Sequence, residues 1–293
     1  MTVFGTVGIF VKYINLPSAF VAMSRGVVGA LFLLVFLLIT KKGIDIKAIG
    51  RNLIPLLLSG AAIGVNWIFL FESYRYTTVA TATLCYYMAP VIVIIFGRII
   101  YKEKITLKKG ICSFAAVIGM LLVSGIFTSQ GSASSDFRGV LFGLAAAAFY
   151  ASVTLISHCM KDISSYDMTL VQLTVAAIVV APYSFIAEDV DFLGIEPISL
   201  ILLFVVGILH TGICYALYFS SVKSLPAQKV ALFAYIDPIL AVILSAIVLK
   251  EEMGVVCAVG AVIILISMII SEIPDRRSSK SESENAAPKE QDF

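Results

Sequence analysis

Long apolar runs separated by short polar segments extend over almost the whole chain, and ten of these runs predict helices. Most runs approach the ~20 residues that an α-helix needs to cross a bilayer. They lack the polar stripe of an amphipathic helix and the alternation of a half-buried strand, so they do not fit a soluble α/β domain. The predicted helices are residues 2–13, 18–40, 52–74, 78–100, 105–127, 137–159, 165–186, 197–220, 227–249 and 254–273. This pattern predicts an all-α membrane protein.

The apolar pattern occurs twice, with the two copies 148 positions apart. A tyrosine, a proline three residues later and a Lys-Glu pair beyond a hydrophobic run occur in both copies. The coinciding residues include Phe71/Phe219, Ser73/Ser221, Leu84/Leu232, Tyr87/Tyr235, Pro90/Pro238, Lys102/Lys250 and Glu103/Glu251. Such a repeat is typical of a duplicated helical unit. Each copy is expected to contain a bent helix, because proline removes a backbone donor.

The two copies divide the chain into a first five-helix repeat (residues 1–127), a polar connection (128–136), a second five-helix repeat (137–273) and a tail (274–293). The tail is rich in Ser, Glu and Lys and has little to bury, so it is expected to be disordered. The first predicted helix is too short to cross the membrane. We therefore expect about ten further residues of it upstream of residue 1.

Lysine and arginine are distributed unevenly between the two predicted sides of the membrane. With the N-terminus in the cytoplasm and ten alternating helices, sixteen of them fall on the inner side and five on the outer side. This bias predicts a cell (cytoplasmic) membrane protein with both termini in the cytoplasm. A unit of five helices begins on one side of the membrane and ends on the other. The second unit must therefore have the opposite orientation in the membrane. The expected fold is ten transmembrane helices in two inverted five-helix repeats around a central cavity, the usual basis of alternating access.

Composition agrees with the membrane class. Hydrophobic residues make up 60% of the 293 residues and charged residues 14%, against roughly 25% charged residues in a soluble domain. The five cysteines lie in apolar runs or at their ends, without the spacing of metal ligands or disulfide pairs. No metal, cofactor or nucleic-acid partner is predicted. The expected partners are a small-molecule substrate and the lipid bilayer, with the oligomeric state left open.

Four ionisable residues in or beside the apolar runs are candidates for charge or coupling roles, because such a group costs roughly 2.5–3.5 kcal/mol on insertion. Asp237, directly before Pro238, could bind a cation, a proton or a substrate amine. Arg25 and Lys12 could neutralise that carboxylate or hold a substrate carboxylate, and His210 could carry a proton. The alternatives are hydrogen-bonded core residues for Asp237 and His210, and a lysine that extends to the membrane surface for Lys12.

Aromatic and amide side chains form the second set of candidates. Tyr86, Tyr87 and Tyr235 lie too deep for an interfacial belt, so each hydroxyl needs a partner or a wet cavity. Trp67 and Tyr215 coincide in the repeat. The predicted substrate-binding residues, which we expect at the central cavity, are Asn66, Trp67, Tyr86, Tyr87, Pro90, Tyr215, Tyr235 and Pro238.

Several of these residues occur together in a recognisable order. They are Lys12 at the end of the first helix, Arg25 in the second, Asn66-Trp67 followed by Phe71, the Pro90 and Pro238 helices with their Lys-Glu pairs, and Gly119 and Gly260 beyond them. In this order the chain resembles the drug/metabolite transporter superfamily, in its ten-helix EamA-type branch. It departs from the family pattern at Cys112 and Ser267, where glycine is expected, and lacks the usual Trp-Gly upstream of the first helix.

The resemblance covers residues 4–273 and implies inverted five-helix repeats with both termini in the cytoplasm. It also implies transport of small metabolites, often amino acids or related compounds, and often outward. Together with the residues, it favours a secondary transporter that binds its substrate near the membrane midplane. Coupling to protons through Asp237 or His210 is a hypothesis.

Two other classes of function are weighed against transport. An intramembrane enzyme is disfavoured, because the chain has no G-x-S-G motif and a single deep aspartate is not a catalytic pair. A non-transporting membrane sensor or scaffold is the main alternative, although the short connections leave no room for a signalling domain. The chain also has no G-x4-G-K-[ST] loop, so ATP is not the direct energy source.

Overall fold

The computed structural model describes residues 2–102, 106–123, 133–186, 195–215, 217, 236–251 and 253–273, and all regular elements in these ranges are helices. They are a 3-10 turn (Phe4–Thr6), α1 (Val7–Lys12), α2 (Ser18–Ile39), α3 (Ile46–Arg51), α4 (Leu53–Tyr76), α5 (Val79–Tyr86), α6 (Ala89–Tyr101), α7 (Leu107–Val123), α8 (Ala133–His158), α9 (Ser165–Ile186), α10 (Pro197–Val205), α11 (Ile236–Ile247) and α12 (Val255–Glu272). Val206–Ile213 continue α10 as a segment with wider, π-type winding.

Within the described residues, five helical segments are long and apolar enough to cross a membrane: Ser18–Ile39, Leu53–Tyr76, Val79–Tyr101, Phe137–His158 and Ser165–Ile186. Pro197–Ile213, Ile236–Ile247 and Val255–Ser271 are shorter apolar helices. The expectation of an all-helical membrane protein is confirmed at this level. Residues 128–132 of the predicted connection, the tail at 274–293 and most of the chain from 216 to 235 lie outside the described residues. Residues 133–136, also assigned to that connection, instead form the first turn of α8 (Ala133–His158).

The fourth predicted helix is divided into α5 and α6 at Tyr87 and Met88. Pro90 has no backbone N–H, so the carbonyl group of Tyr86, four residues earlier, loses its helical donor. The chain tightens there, with the backbone N–H of Met88 donating to the carbonyl oxygen of Cys85 at 3.1 Å. The proline therefore explains the interruption that the sequence predicts.

The central helix of the bundle is α4, which packs against α2, α8 and α9. It approaches α9 closely at Gly60, where a Cβ atom would come within 2.7 Å of Val175 Cβ. Small residues at such positions let helix backbones approach in a membrane. On the same face of α4, seven and eleven positions after Gly60, Trp67 and Phe71 are buried in the main apolar core.

Lys102 and Lys250, which coincide in the repeat, share an uncommon backbone conformation. Their φ angles are 56° and 52°, in the left-handed region that few residues other than glycine adopt. Each follows the end of a proline-containing helix, α6 or α11. The same local conformation at coinciding positions favours a duplicated unit.

The structure also contains a short helix that the sequence pattern did not predict. Helix α3 lies between α2 and α4, and Asp45 caps its N-terminus, with Oδ1 accepting a hydrogen bond from Ala48 N at 2.9 Å. Such a cap satisfies a backbone donor that the helix itself leaves free.

Asn52, directly after α3, fastens this end of the bundle to the connection between α8 and α9. Its Nδ2 donates to the carbonyl oxygens of Ala48 at 2.9 Å and Lys161 at 3.0 Å, and its Oδ1 accepts from Lys161 N at 3.2 Å.

We expect Asn52→Ala to lower the free energy of unfolding by about 2 kcal/mol, because both backbone groups of Lys161 lose their partner. Thermal unfolding in detergent measures the change, with exposed Asn15→Ala as the control. Equal stability of the two variants would contradict this role.

Candidate functional site

A cavity of about 440 Å³ lies between the start of the chain, α4, α5, α6, α8 and α11. Its wall is mainly apolar and aromatic, with a small number of polar groups. Cavities of this size and composition are typical sites for small molecules.

Most of the predicted substrate-binding residues line this cavity: Asn66, Trp67, Tyr86, Tyr87, Pro90 and Tyr215. Pro238 is buried within α11 but is not part of the wall. Tyr235 lies outside the described residues. The sequence therefore identifies a set of residues that the fold brings together, and their contact with a substrate stays a prediction.

Arg25, on α2, is a buried cation on the cavity wall, with 5% of its surface exposed. Its Nε donates to the hydroxyl oxygen of Thr211 at 2.7 Å. Its guanidinium carbon lies 4.6 Å from the ring centroid of Trp67 and 5.9 Å from that of Phe71, in cation–π geometry. These contacts hold the charge in place and leave the remaining guanidinium N–H groups available to a ligand.

Asp237, on α11, lies on the wall of the same cavity. The Tyr87 hydroxyl donates to its Oδ2 at 2.5 Å. The start of the chain packs directly against this residue, because a Cβ atom at Gly5 would come within 2.7 Å of the Asp237 carbonyl oxygen. Asp237 and Arg25 form no ion pair with each other among the described contacts, so the cavity carries one anionic and one cationic group.

Asn66 is buried and donates from Nδ2 to the carbonyl oxygen of Ala146 on α8 at 2.5 Å. Tyr86 is in ring contact with Tyr150 on α8, with centroids 5.4 Å apart, and with Tyr87 at 5.9 Å. This side of the cavity is therefore a set of tyrosine rings held between α5 and α8.

The other two charge candidates lie away from the wall. His210, with 0% of its surface exposed, shares a hydrogen bond of 2.8 Å between its Nε2 and the hydroxyl of Thr6. Lys12 pairs with Glu251, at 3.5 Å between Nζ and Oε1, rather than with Asp237. Both residues therefore join the first helix to later parts of the chain.

Sequence reasoning missed several wall residues: Phe4, Gly5, Val7, Gly8, Ile63, Leu70, Tyr74, Thr83, Ala89, Tyr150, Val153 and Ala241. Tyr150 could have been predicted from the sequence, because it lies deep in an apolar run, as Tyr86 does. Gly5 and Gly8 carry no chemical signal. They line the cavity because the first helix packs there.

Comparison with known protein families shows the family of this chain. The sequence profile of the EamA-like transporter family matches residues 1–125 and 137–272. The chain belongs to the EamA-like transporter family. The resemblance inferred from Lys12, Arg25, the two prolines and the Lys-Glu pairs is confirmed, and the membrane and transporter class with it.

Relatives of this EamA-like chain extend over nearly all of it. The uncharacterized transporter YxxF of Bacillus subtilis (strain 168) is 28% identical over 281 residues, which cover 96% of this chain and 89% of the relative. An uncharacterized transporter of Archaeoglobus fulgidus is 25% identical over 268 residues, 91% of each chain. A crystal structure with 15% identity superposes with a TM-score of 0.64, covering 93% of this chain and 98% of the other, which shows a shared fold.

Proposed function

We propose that this protein is a secondary transporter that moves a small metabolite across the cytoplasmic membrane by alternating access. The observation that carries the proposal is the presence of Arg25 and Asp237 on the wall of one cavity among apolar helices. Charged groups are costly inside a membrane bundle and usually face a functional cavity. The family to which the chain belongs is one of transporters, which supports the same class.

Two inverted five-helix repeats, 1–127 and 137–273, are the proposed architecture, and the helix contacts support it. Helices α2 and α9 both have 22 residues and begin 147 positions apart. The contact between α9 and α4 has a counterpart in the other unit. There α2, which corresponds to α9, packs against the π-type segment after α10, which corresponds to part of α4. Val175 faces Gly60, and Val28, 147 positions earlier, faces Gly207. A twofold axis that exchanges the two units would produce these paired contacts.

Arg25 and Gln172 also coincide in this alignment of α2 with α9. Both are buried, and each bonds to a hydroxyl of the partner helix: Arg25 to Thr211, and Gln172 Nε2 to Ser59 at 2.8 Å. Only Arg25 of the two lines the cavity. The duplicated position therefore carries a charge in one unit and a neutral amide in the other, so the two units are specialised.

The wall chemistry favours a substrate with both an acidic and a basic group, such as an amino acid or a related compound. The free guanidinium N–H groups of Arg25 suit a carboxylate, which they can bind through two parallel hydrogen bonds. The carboxylate of Asp237 suits an ammonium group, with Tyr87 as an oriented neighbour. The aromatic rings on the same wall would pack against the body of the substrate. Outward transport, with both termini in the cytoplasm, completes the proposal.

Flux measurements in proteoliposomes test this function. Radiolabelled amino acids and small metabolites are offered under set pH and sodium gradients, with protein-free vesicles as the control. We expect saturable flux of at least one compound that carries both charges. Ligand binding without flux in sealed vesicles would instead favour the sensor or scaffold, and the absence of both would contradict the proposed site.

Proton coupling is the most specific part of the proposal. Asp237 faces the cavity, where it can exchange a proton with water, whereas His210 is enclosed by its contact with Thr6. We expect Asp237→Asn to abolish accumulation driven by a pH gradient, because an amide cannot carry the proton. Substrate exchange without a gradient should persist, but only at raised substrate concentration, because the ammonium group also loses its charged partner. His210→Gln serves as the comparison. Gradient-driven accumulation that is unchanged in both variants would contradict coupling through either residue.

A further inference from the structure

A cluster of polar contacts, separate from the Arg25 and Asp237 groups, joins α1, α5 and α11 to one another and to α4 at one end of the bundle. Lys12 Nζ donates to the carbonyl oxygen of Tyr74 at 2.7 Å and pairs with Glu251 Oε1 at 3.5 Å. Glu251 Oε2 accepts a hydrogen bond from Val79 N at 2.9 Å and another from the Ser245 hydroxyl. We name this cluster the Lys12–Glu251 latch. It connects α1, the start of α5 and the end of α11.

The latch lies directly beyond the cavity. On each helix the latch residue and a lining residue are four positions apart: Lys12 and Gly8 on α1, Val79 and Thr83 on α5, and Ser245 and Ala241 on α11. Four residues are about one helical turn, or roughly 6 Å along the axis. The carbonyl that accepts from Lys12 belongs to Tyr74, whose side chain also lines the cavity. The three helices are therefore tied together one turn past the substrate site.

The position of Glu251 depends on the turn that ends α11. Lys250 has a left-handed backbone, and the following N–H, of Glu251, donates to the carbonyl oxygen of Ser245 at 3.2 Å. The chain thus folds back on the helix and directs the carboxylate toward α5. The Glu251 side chain is only 13% exposed. An enclosed carboxylate needs its partners, because an unpaired buried charge is strongly unfavourable.

We propose that the Lys12–Glu251 latch is the outer gate of the transport path and is shut in this structure. The inference rests on the proposed alternating-access function. The lysine and arginine distribution assigns the end of α1 and the start of α5 to the outer side. Opening the cavity toward that side requires α1 and α11 to move away from α5, which breaks the contacts of both charged side chains. The latch therefore biases the equilibrium toward the conformation that is closed outside.

A second ion pair at the same end provides a matched control. Arg75 Nη1 lies 3.3 Å from Glu72 Oε2, and both residues belong to the last turns of α4. The Arg75 side chain is 60% exposed. Because this pair lies within one helix, its loss removes a positive charge from the same region without releasing α1 or α11.

Thiol accessibility of the cavity tests the latch. Thr83→Cys places a thiol on the cavity wall below it, and a charged, membrane-impermeant methanethiosulfonate reagent is added to right-side-out membrane vesicles. Fragment-ion mass spectrometry assigns the label to position 83 rather than to native Cys85, two residues later in the same peptide, and separates both from the other native cysteines. In this background we expect Glu251→Gln and Lys12→Met to raise the labelling rate about five- to tenfold, whereas Arg75→Gln leaves it unchanged.

Two further arms complete the test. The charge-swapped double variant Lys12→Glu/Glu251→Lys restores the ion pair but not the hydrogen bonds to Tyr74 O and Val79 N, so its labelling is expected to be slower than in either single variant and faster than in the parental background. Equal labelling rates for Glu251→Gln and Arg75→Gln would contradict the gating role of the latch. If the latch variants are instead labelled faster in inside-out vesicles, the assignment of the latch to the outer end is wrong. Thermal unfolding in detergent verifies that each variant is folded; Glu251→Gln keeps an oxygen that can accept from Val79 N. Labelling is measured without substrate. A result that contradicts the gating role of the latch can therefore be distinguished from one that contradicts the proposed transport function.

Discussion

Replacing Arg25 by glutamine is expected to weaken substrate binding by about 2 kcal/mol or more, which corresponds to roughly 30-fold, and to reduce transport accordingly. Among the described wall residues, Arg25 is the group that can hold a carboxylate by a charged, two-pronged contact. Glutamine can still donate to Thr211, so the helix contact persists while the charge is lost. Arg25→Lys is expected to recover only part of the affinity, because an ammonium group lacks the planar fork.

Trp67 makes this expectation measurable in the purified protein. It is the single tryptophan of the chain, and the Arg25 guanidinium lies over its ring at 4.6 Å. Titration of the protein in detergent with a panel of amino acids and small metabolites should therefore change the tryptophan emission when a ligand reaches Arg25. The change should be saturable in the native protein, retained in Arg75→Gln and lost in Arg25→Gln. Unaltered titration and flux in Arg25→Gln would rule out Arg25 as the acid-binding group.

Gly119→Leu is expected to lower the free energy of unfolding by about 3 kcal/mol, at the upper end of the usual cost of overpacking. Helix α7 packs on α12 at this glycine, where a Cβ atom would come within 2.8 Å of the carbonyl oxygen of Gly260 and 3.1 Å of Ile264 N. Backbone atoms cannot rotate away as a flexible side chain does, so the two helices must separate. Ile264, with 0% of its surface exposed, would lose its packing.

Gly110, in the same helix, is the matched control. Among the described residues, no atom outside its own stretch of α7 lies within 4 Å of a Cβ atom built there. Gly110→Leu therefore removes a poor helix former without a clash and should leave stability unchanged or slightly raised. Thermal unfolding of both variants in detergent gives the comparison. A similar loss in both would mean that the contact between α7 and α12 is not the cause.

The candidate site was only partly accessible to sequence reasoning. Burial of a tyrosine hydroxyl requires a partner or water, and this rule selected Tyr86 and Tyr87 at the cavity. For Lys12 the sequence left two alternatives, a charged partner inside the bundle and a lysine extending to the membrane surface. Its partner Glu251 comes from the other repeat, and no local pattern indicates that pair. The repeat boundaries, the inverted arrangement and the orientation stay proposals.

The sequence by itself determined the membrane class, the family and the interruption of the helix at Pro90. Each depends on local covalent properties: the length of an apolar run, a characteristic order of residues, and a missing backbone N–H. Only the tertiary structure decided which polar residues face the cavity. Arg25 and Asp237 lie on its wall, whereas His210 is enclosed against Thr6, 204 positions earlier in the chain. Which buried side chains face the cavity depends on how the helices pack against one another. That packing is determined by contacts between segments that are distant in the sequence.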